Sequence, residues 1–458
     1  MNEEKDHKDL EEFRDLLKNK RYSDLREKAA EMNEPDVAAV LEMMEDEDML
    51  KMFRLFPKGL AADVFSLLEQ DSQQYIITSL SDKEAGSIID NLYADDAADL
   101  LEEMPANVVK KLLANANPET RKDINHLLRY PEESAGSIMT TEFMDLKEDM
   151  TAAQAFARIR QKGVDSETVN VLYVLSSKRV LLGTVGLRHL IMMPEDARVG
   201  DFMHEEVVSC TTSEDQETVA QIFKKYDFTA LPVVDNENRM VGIITVDDVI
   251  DIMEEEATED IEKMAAITPS EKPYLKTGIL DTVKARLPWL LLLMVSATFT
   301  GQIISSFESA LAAVTILTAY IPMLMDTGGN AGSQASVTII RGISLDEISI
   351  HNLKAVIWKE MRVALAIGVT LAACNFAKLM LIDRGLFHNP ITVYVALVIC
   401  LTLIVTVFAA KLVGCTLPII AKQLGFDPAV MASPFITTIV DAISLLIYFR
   451  FATILLGL

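Results

Sequence analysis

Three rhythms of hydrophobic positions follow one another along the chain. Up to about residue 130, small and aliphatic residues recur at helical spacing after polar starts, as in EPDVAAVLEMM, GLAADVFSLLE, DKEAGSIIDNL and ADDAADLLEEM. This predicts short amphipathic helices. A single unit of this kind cannot bury its own apolar face, and the spacing is irregular, so a stacked helical superhelix is expected over 1–130. From 131 to 253 the pattern becomes mixed helix and strand, and it occurs twice. The second copy reads as a helix around 217–225, a buried strand LPVVD, a turn at 236–238, a strand VGIIT and a further helix. The first copy follows the same order through SIMTTEFMDLKEDMTAAQAFARIRQKG and VNVLYVLSSKRVLLGTVGLRHLI.

The third rhythm is continuous. An acidic helix, DDVIDIMEEEATEDIEK, leads through a connector carrying Pro269 and Pro273, so 254–283 is expected to link the cytosolic part to the rest. Beyond it, 287–307, 311–340, 356–382, 392–420 and 433–456 are each apolar and long enough to span a hydrocarbon core of about 30 Å. A five-helix, all-α transmembrane domain over 284–458 is expected. Lys284 and Arg286 precede the first span, Arg341, Lys354, Lys359 and Arg362 flank the link between second and third, and Lys422 follows the fourth. Cations cluster on the cytosolic side of membranes, which places the N-terminus in the cytosol and the C-terminus outside a cell membrane. The charged start MNEEKDHKDLEEFRDLL shows no apolar signal segment.

Charge sharpens this division. Sixty of the 68 acids but only 31 of the 42 basic residues precede Lys284, so the first part carries −29 and the remainder +3. Such an acidic region repels nucleic acid and anionic head groups and suits divalent cations. In the acidic helix, Asp248, Asp251, Glu255 and Glu259 share a face at three- and four-residue spacing, where like charges destabilise unless a cation relieves them. The alternatives are a solvated linker helix, with Lys263 and the helix dipole offsetting the acids, or a divalent-cation site. The run Asp90, Asp95, Asp96 and Asp99 reads by itself as a solvated helix face. Four cysteines form no CxxC pair, and no nucleophile–base pair or catalytic metal spacing is present, so an enzyme is not expected.

Two polar features interrupt the apolar part. The stretch 321–341, IPMLMDTGGNAGSQASVTIIR, carries Asp326, Asn330, Ser333, Gln334 and three glycines. Polar groups at membrane depth point to a substrate path; Gly328 and Gly332, as GxxxG, equally suit close helix packing. A phosphate cradle at GGNAG lacks the strand and lysine it needs. The other feature is Asp441, in the middle of the fifth apolar segment and one turn after Thr437 and Thr438. It must face water, a cation or a salt-bridge partner, for which Lys378 and Lys411 are the candidates. A site of carboxylates, amides and hydroxyls without Cys or His favours a hard cation such as Mg²⁺, which keeps several waters.

The tandem copies resemble a pair of CBS domains, a module that senses nucleotides or ions. That resemblance implies that Thr245 and Asp248, in GIITVDD, hold the ribose of an adenine nucleotide such as ATP; the first copy departs from the pattern, with Gly186 and His189 in their places. Over nearly its whole length the chain resembles the MgtE family of magnesium channels, on RLPWL at 286–290, PMLMDTGGNAGSQ at 322–334 with Arg341, and TTIVD ending at Asp441. The resemblance implies a homodimer with its pore at the dimer interface, Asp441 as the central ligand of hydrated Mg²⁺, and Gly328 and Asn330 lining the path. It also implies a gate, in which Mg²⁺ bridges Asp95, Asp99, Asp247, Asp248, Asp251, Glu255, Glu256 and Glu259, with Asp427 contributing from the link before the fifth helix. Coupled cation exchange and a membrane-anchored nucleotide sensor are the competing expectations.

Overall fold

The computed structural model describes residues 3–102, 104–270, 274–308, 312, 314–345 and 347–457. The chain divides into two compact units, Met1–Met253 and Glu254–Leu458.

In the first unit the described residues begin with ten short helices, from Glu3–Lys18 to Pro118–Leu127. Local chemistry sets their starts. Ser81 and Glu84 form a capping box at the helix Asp82–Ile89, and the Asn117 side chain accepts the N–H groups of Glu119 and Thr120 with Pro118 in the first turn. The first, third, fifth, seventh and ninth helices pack in a row, each against the next. Phe13, Leu41, Phe65, Ile89 and Leu101 are buried in their common core, which is the expected superhelix.

The two mixed copies form two three-stranded sheets, β1 (Phe143–Leu146), β2 (Thr168–Leu175) and β3 (Leu181–Gly186), and β4 (Cys210–Thr211), β5 (Ala230–Val234) and β6 (Met240–Thr245). In each sheet the first two strands are parallel and the last pair antiparallel. The copies are stitched together by backbone pairing of Thr140 with Ile243, and share a core of Tyr173, Leu181, Val234, Met240 and Ile243. The eighth short helix, Ala94–Glu102, joins the core of the second copy: Ala94 and Ala98 pack with Met139, Phe223, Ile244 and Val249. Small side chains let this helix approach closely, and that closeness determines the fate of its acids.

The last strand runs directly into a 19-residue helix, Val246–Met264, which passes the boundary at Met253 unbroken. Among the described residues, the second unit then contains five long helices: Ile279–Ser306, Ile321–Ser344, Leu353–Lys378, Val393–Gln423 and Ser433–Leu456, called first to fifth below. Among the described residues four regions, Ile279–Ser306, Ile350–Leu386, Val393–Gln423 and Ala429–Leu456, are long and apolar enough to cross a membrane. The second helix has the length, about 36 Å at 1.5 Å per residue, but its polar residues lower its hydropathy. Its start differs from the expectation of a span over 311–340. The helix begins at Ile321, after a 3-10 turn over Thr315–Tyr320, with Pro322 in its first turn where a missing N–H costs nothing. The second helix packs against the fourth and fifth, the third against the fourth, and the first against the fifth. No residue of the first helix is buried, so its apolar surface is left for lipid or another chain.

Candidate functional site

Glycines hold the centre of the bundle. A Cβ on Gly328 would lie 2.8 Å from Thr406 Cγ2 and 2.9 Å from Ser444 Oγ, one on Gly329 3.0 Å from Thr437 Cγ2, and one on Gly332 2.9 Å from Ile436 Cγ2. Gly414 on the fourth helix leaves least room, with a Cβ placed 2.2 Å from the Gly332 carbonyl oxygen. The close-packing reading of GxxxG is therefore realised. Gly328 contributes no side chain, and its inward face is filled by Thr406, Ser444 and Val440.

The same helix has a second, polar face. Asp326 and Asn330 are exposed, and the Asn330 amide donates to Asp326 Oδ1 at 3.1 Å. Gly332 meets Ile436, Gly329 meets Thr437, and Gly328 meets Val440 and Ser444, so the second and fifth helices run antiparallel. One turn from the Gly329–Thr437 contact in opposite directions brings Asp326 level with Asp441. Thr437 and Thr438 spend their hydroxyls on the Pro434 carbonyl. Among the described residues Asp441, half-buried, has no hydrogen bond and no ion pair. The two lysines considered as its partners are engaged elsewhere: Lys411 Nζ lies 3.2 Å from Glu360, and Lys378 Nζ 3.2 Å from Asp383. The salt-bridge explanation of Asp441 is thereby corrected.

A second group of acids lies in the first unit. The expectation of a solvated face over Asp90–Asp99 is corrected here, since Asp95 is only 8% exposed and Asp96 is half-buried. The packing of Ala94 and Ala98 pulls their neighbour Asp95 inside. Its position in the first turn of the helix is electrostatically favourable, yet Asp95 Oδ1 has no hydrogen-bond partner. Burial, then the charges of Asp96 and Asp248, push its pKa well above the carboxylate range. Burial with Asp248, Asp247 and Glu142 nearby lifts Asp96 to about 6. Glu167 is lifted to about 7 by burial and by Asp247, Asp248, Asp96 and Glu142, and its Oε2 is also unpartnered. Asp90, by contrast, is exposed and accepts the N–H of Asn117, and Asp99 is exposed.

Asp248 belongs to this group and to the nucleotide candidates at once. Its Oδ2 accepts the Thr245 hydroxyl at 2.6 Å at the β6-to-helix turn, so the two side chains named for the ribose are held together. Asp247 and Asp251 are exposed on the same helix, and Glu255 and Glu256 follow beyond Met253. Sequence reasoning missed Asp96, Glu142 and Glu167 as members of the cluster, because they come from separate segments with no common spacing. Among the described residues no three Cys, His, Asp or Glu side chains converge closely enough to enclose a bare metal ion.

The remaining candidates, Glu259 and Asp427, meet at one lysine. Lys263 Nζ lies 2.6 Å from Glu259 Oε1 and 2.8 Å from Asp427 Oδ2. Partial burial opposes its charge, but hydrogen bonds to Asp427 and Glu259 outweigh it and raise the lysine above its ordinary range. Asp427 is itself fixed, because Oδ1 accepts the Ala429 N–H at 2.7 Å. Nearby, Ser344 donates to Asp260 at 3.2 Å, and Met264 packs on Ile340, Ala429 and Ala432.

Three family models match: the divalent cation transporter domain over 321–451, the MgtE intracellular N domain over 32–133 and the CBS domain over 199–255. The chain is 37% identical over 436 residues to the magnesium transporter MgtE of Thermus thermophilus, covering 94% of this chain and 95% of that protein. It is 32% identical over 444 residues to the magnesium transporter MgtE of Bacillus subtilis, covering 96% and 95%. The crystal structure of the soluble part of a magnesium transporter superposes with a TM-score of 0.53 at 29% identity, over 55% of this chain and 99% of that one. The cytosolic domain of the Mg²⁺ channel MgtE in complex with ATP superposes with a TM-score of 0.50 at 36% identity, over 52% and 98%. With its acidic superhelix, paired CBS domains and glycine-packed helical bundle in one chain, the protein belongs to the MgtE family of membrane transporters.

Proposed function

We propose that the chain is a Mg²⁺-selective channel of the cell membrane that mediates magnesium uptake and is closed by cytosolic Mg²⁺. The observation that carries this reading is Asp441, a carboxylate without a protein partner in the middle of an apolar helix, level with the exposed pair Asp326 and Asn330. A homodimer with the pore between protomers would set two Asp441 carboxylates around one hydrated ion, in keeping with the reluctance of Mg²⁺ to shed water. The relatives' names as magnesium transporters support the choice of cargo.

The gate follows from the cytosolic acids. With little Mg²⁺ the buried Asp95 and the half-buried Asp96, Glu167 and Asp248 repel; a divalent cation with its water shell relieves that repulsion and draws the segments together. Asp99, Asp247, Asp251, Glu255 and Glu256 extend the acidic surface. An adenine nucleotide at Thr245 and Asp248 is supported by the ATP complex of the similar cytosolic domain. The N-terminal domains lie in the cytosol and the C-terminus outside, on the distribution of lysine and arginine around the helices.

Flux of Mg²⁺ through the purified protein in liposomes, with Mg²⁺ varied on the cytosolic side, tests the proposal. Uptake should fall as that concentration rises, and deleting residues 1–130 should weaken the fall. Unchanged inhibition in the truncated protein would contradict the sensor. A flux that follows an imposed Na⁺ or H⁺ gradient beyond its electrical effect would make the protein a coupled exchanger instead.

A further inference from the structure

The helix Val246–Met264 contains nine acids and one base, Lys263, in its last turn. That single cation is placed between the last turn's own Glu259 and Asp427 from the link before the fifth helix, 2.6 Å from one and 2.8 Å from the other. All three side chains are between a fifth and two fifths exposed, so the pair is screened but not dissolved. The geometry is pre-set on both sides. Asp427 is oriented by the Ala429 N–H, and the helix end is seated by Met264 and by the Ser344–Asp260 hydrogen bond.

From this geometry we propose that Lys263 is a built-in counter-cation: it holds the helix end to the Asp427 link without metal, and a divalent ion can use Glu259 and Asp427 only by displacing it. This rests on the Mg²⁺-gated reading above and deepens it. One ammonium nitrogen already sits within hydrogen-bond distance of both carboxylates, the place a shared cation would take. Electrostatic relief here is therefore constant, whereas at Asp95, Asp96 and Glu167 no lysine or arginine is paired with the acids among the described residues. The gate then has one fixed fastening and one that depends on ion concentration.

The test uses the full-length protein and the substitutions Lys263→Met, Lys263→Arg and the pair Lys263→Met with Asp427→Asn. The first measurement is protease cleavage of the connector after Met264 in EDTA. Lys263→Met should be cut roughly fivefold faster than the parent, the scale of a part-exposed ion-pair network, and Lys263→Arg at the parent rate. Adding Mg²⁺ should restore protection to Lys263→Met, because the freed carboxylates can now share the ion, but not to the double substitution. The second measurement is Mg²⁺ flux in liposomes, where Lys263→Met should be more active at low Mg²⁺ and respond more steeply to it. Equal cleavage of parent and Lys263→Met in EDTA overturns the proposal, whatever the flux shows. A parent protein whose flux ignores cytosolic Mg²⁺, with the cleavage difference intact, overturns the gating reading and leaves the ion-pair fastening standing.

Discussion

Gly414 lies against the carbonyl of Gly332 so closely that a Cβ on it would stand 2.2 Å from that oxygen. Backbone meets backbone at this crossing, and no rotamer change can make room. Gly414→Ala should therefore destabilise the detergent-solubilised protein by about 1–3 kcal/mol, the usual cost of overpacking, seen as a lower Tm. Gly301, with open space around it, is the matched control. Gly301→Ala should be neutral or slightly stabilising, as alanine is the better helix former.

Asp441 and Asp326 separate the proposed ion path from the fold. Asp441→Ala should abolish Mg²⁺ uptake while the protein stays folded, since among the described residues Asp441 makes no hydrogen bond or ion pair that would be lost. Asp326→Asn should lower uptake without abolishing it, because Asn330 keeps an amide partner. Normal uptake by Asp441→Ala would remove the residue from the path.

The cytosolic cluster has a pH signature. Burial and neighbouring acids lift Glu167 to about 7 and Asp96 to about 6. Each keeps a proton in the folded state that the unfolded chain releases near pH 4, so the stabilisation is complete below that pH and is lost as the pH rises to about 7. In EDTA the Tm of the full chain should fall between about pH 5 and pH 7.5, and Glu167→Gln should flatten the fall. With Mg²⁺ present the slope should shrink, because the ion replaces the protons. The same slope with and without Mg²⁺ would show that no ion binds there.

Lys411 and Glu360 form a buried pair, their side chains 6% and 12% exposed. Replacing one partner leaves a charge uncompensated in apolar surroundings, so Lys411→Met should cost about 3–5 kcal/mol. The double change Lys411→Met with Glu360→Gln should recover most of that. Additive losses, measured by thermal unfolding in detergent, would mean that the two do not interact.

Much of this architecture is legible in the chain. The repeated small-and-aliphatic phrases give the short helices, and the apolar runs give the long ones, the fifth over Ser433–Leu456 among them. The second helix was harder to bound, since Thr315–Tyr320 is as apolar as a helix but tightens into a 3-10 turn before Pro322. The proposed ion path is partly legible, because a lone acid such as Asp441 contrasts with its apolar neighbours. Of the cytosolic cluster only Asp95, Asp247 and Asp248 are reached, through the family resemblance; by their own pattern Asp95 and Asp96 look like any solvent-facing acids until Ala94 and Ala98 are seen to pack inward. Glu142 and Glu167 carry no local signal. Lys263 could have been found, as the sole base in a helix of acids.

The second bundle helix assigns its two duties to different faces. Gly328, Gly329 and Gly332 fix how near the fourth and fifth helices come, while Asp326 and Asn330 point elsewhere and touch none of those contacts. On the proposed channel reading, spacing and chemistry are then independent variables. If the proposed path runs past 326 and 330, substitution there should retune which hydrated cation is preferred without re-spacing the bundle and at little cost in stability, whereas substitution at the glycines should cost stability first.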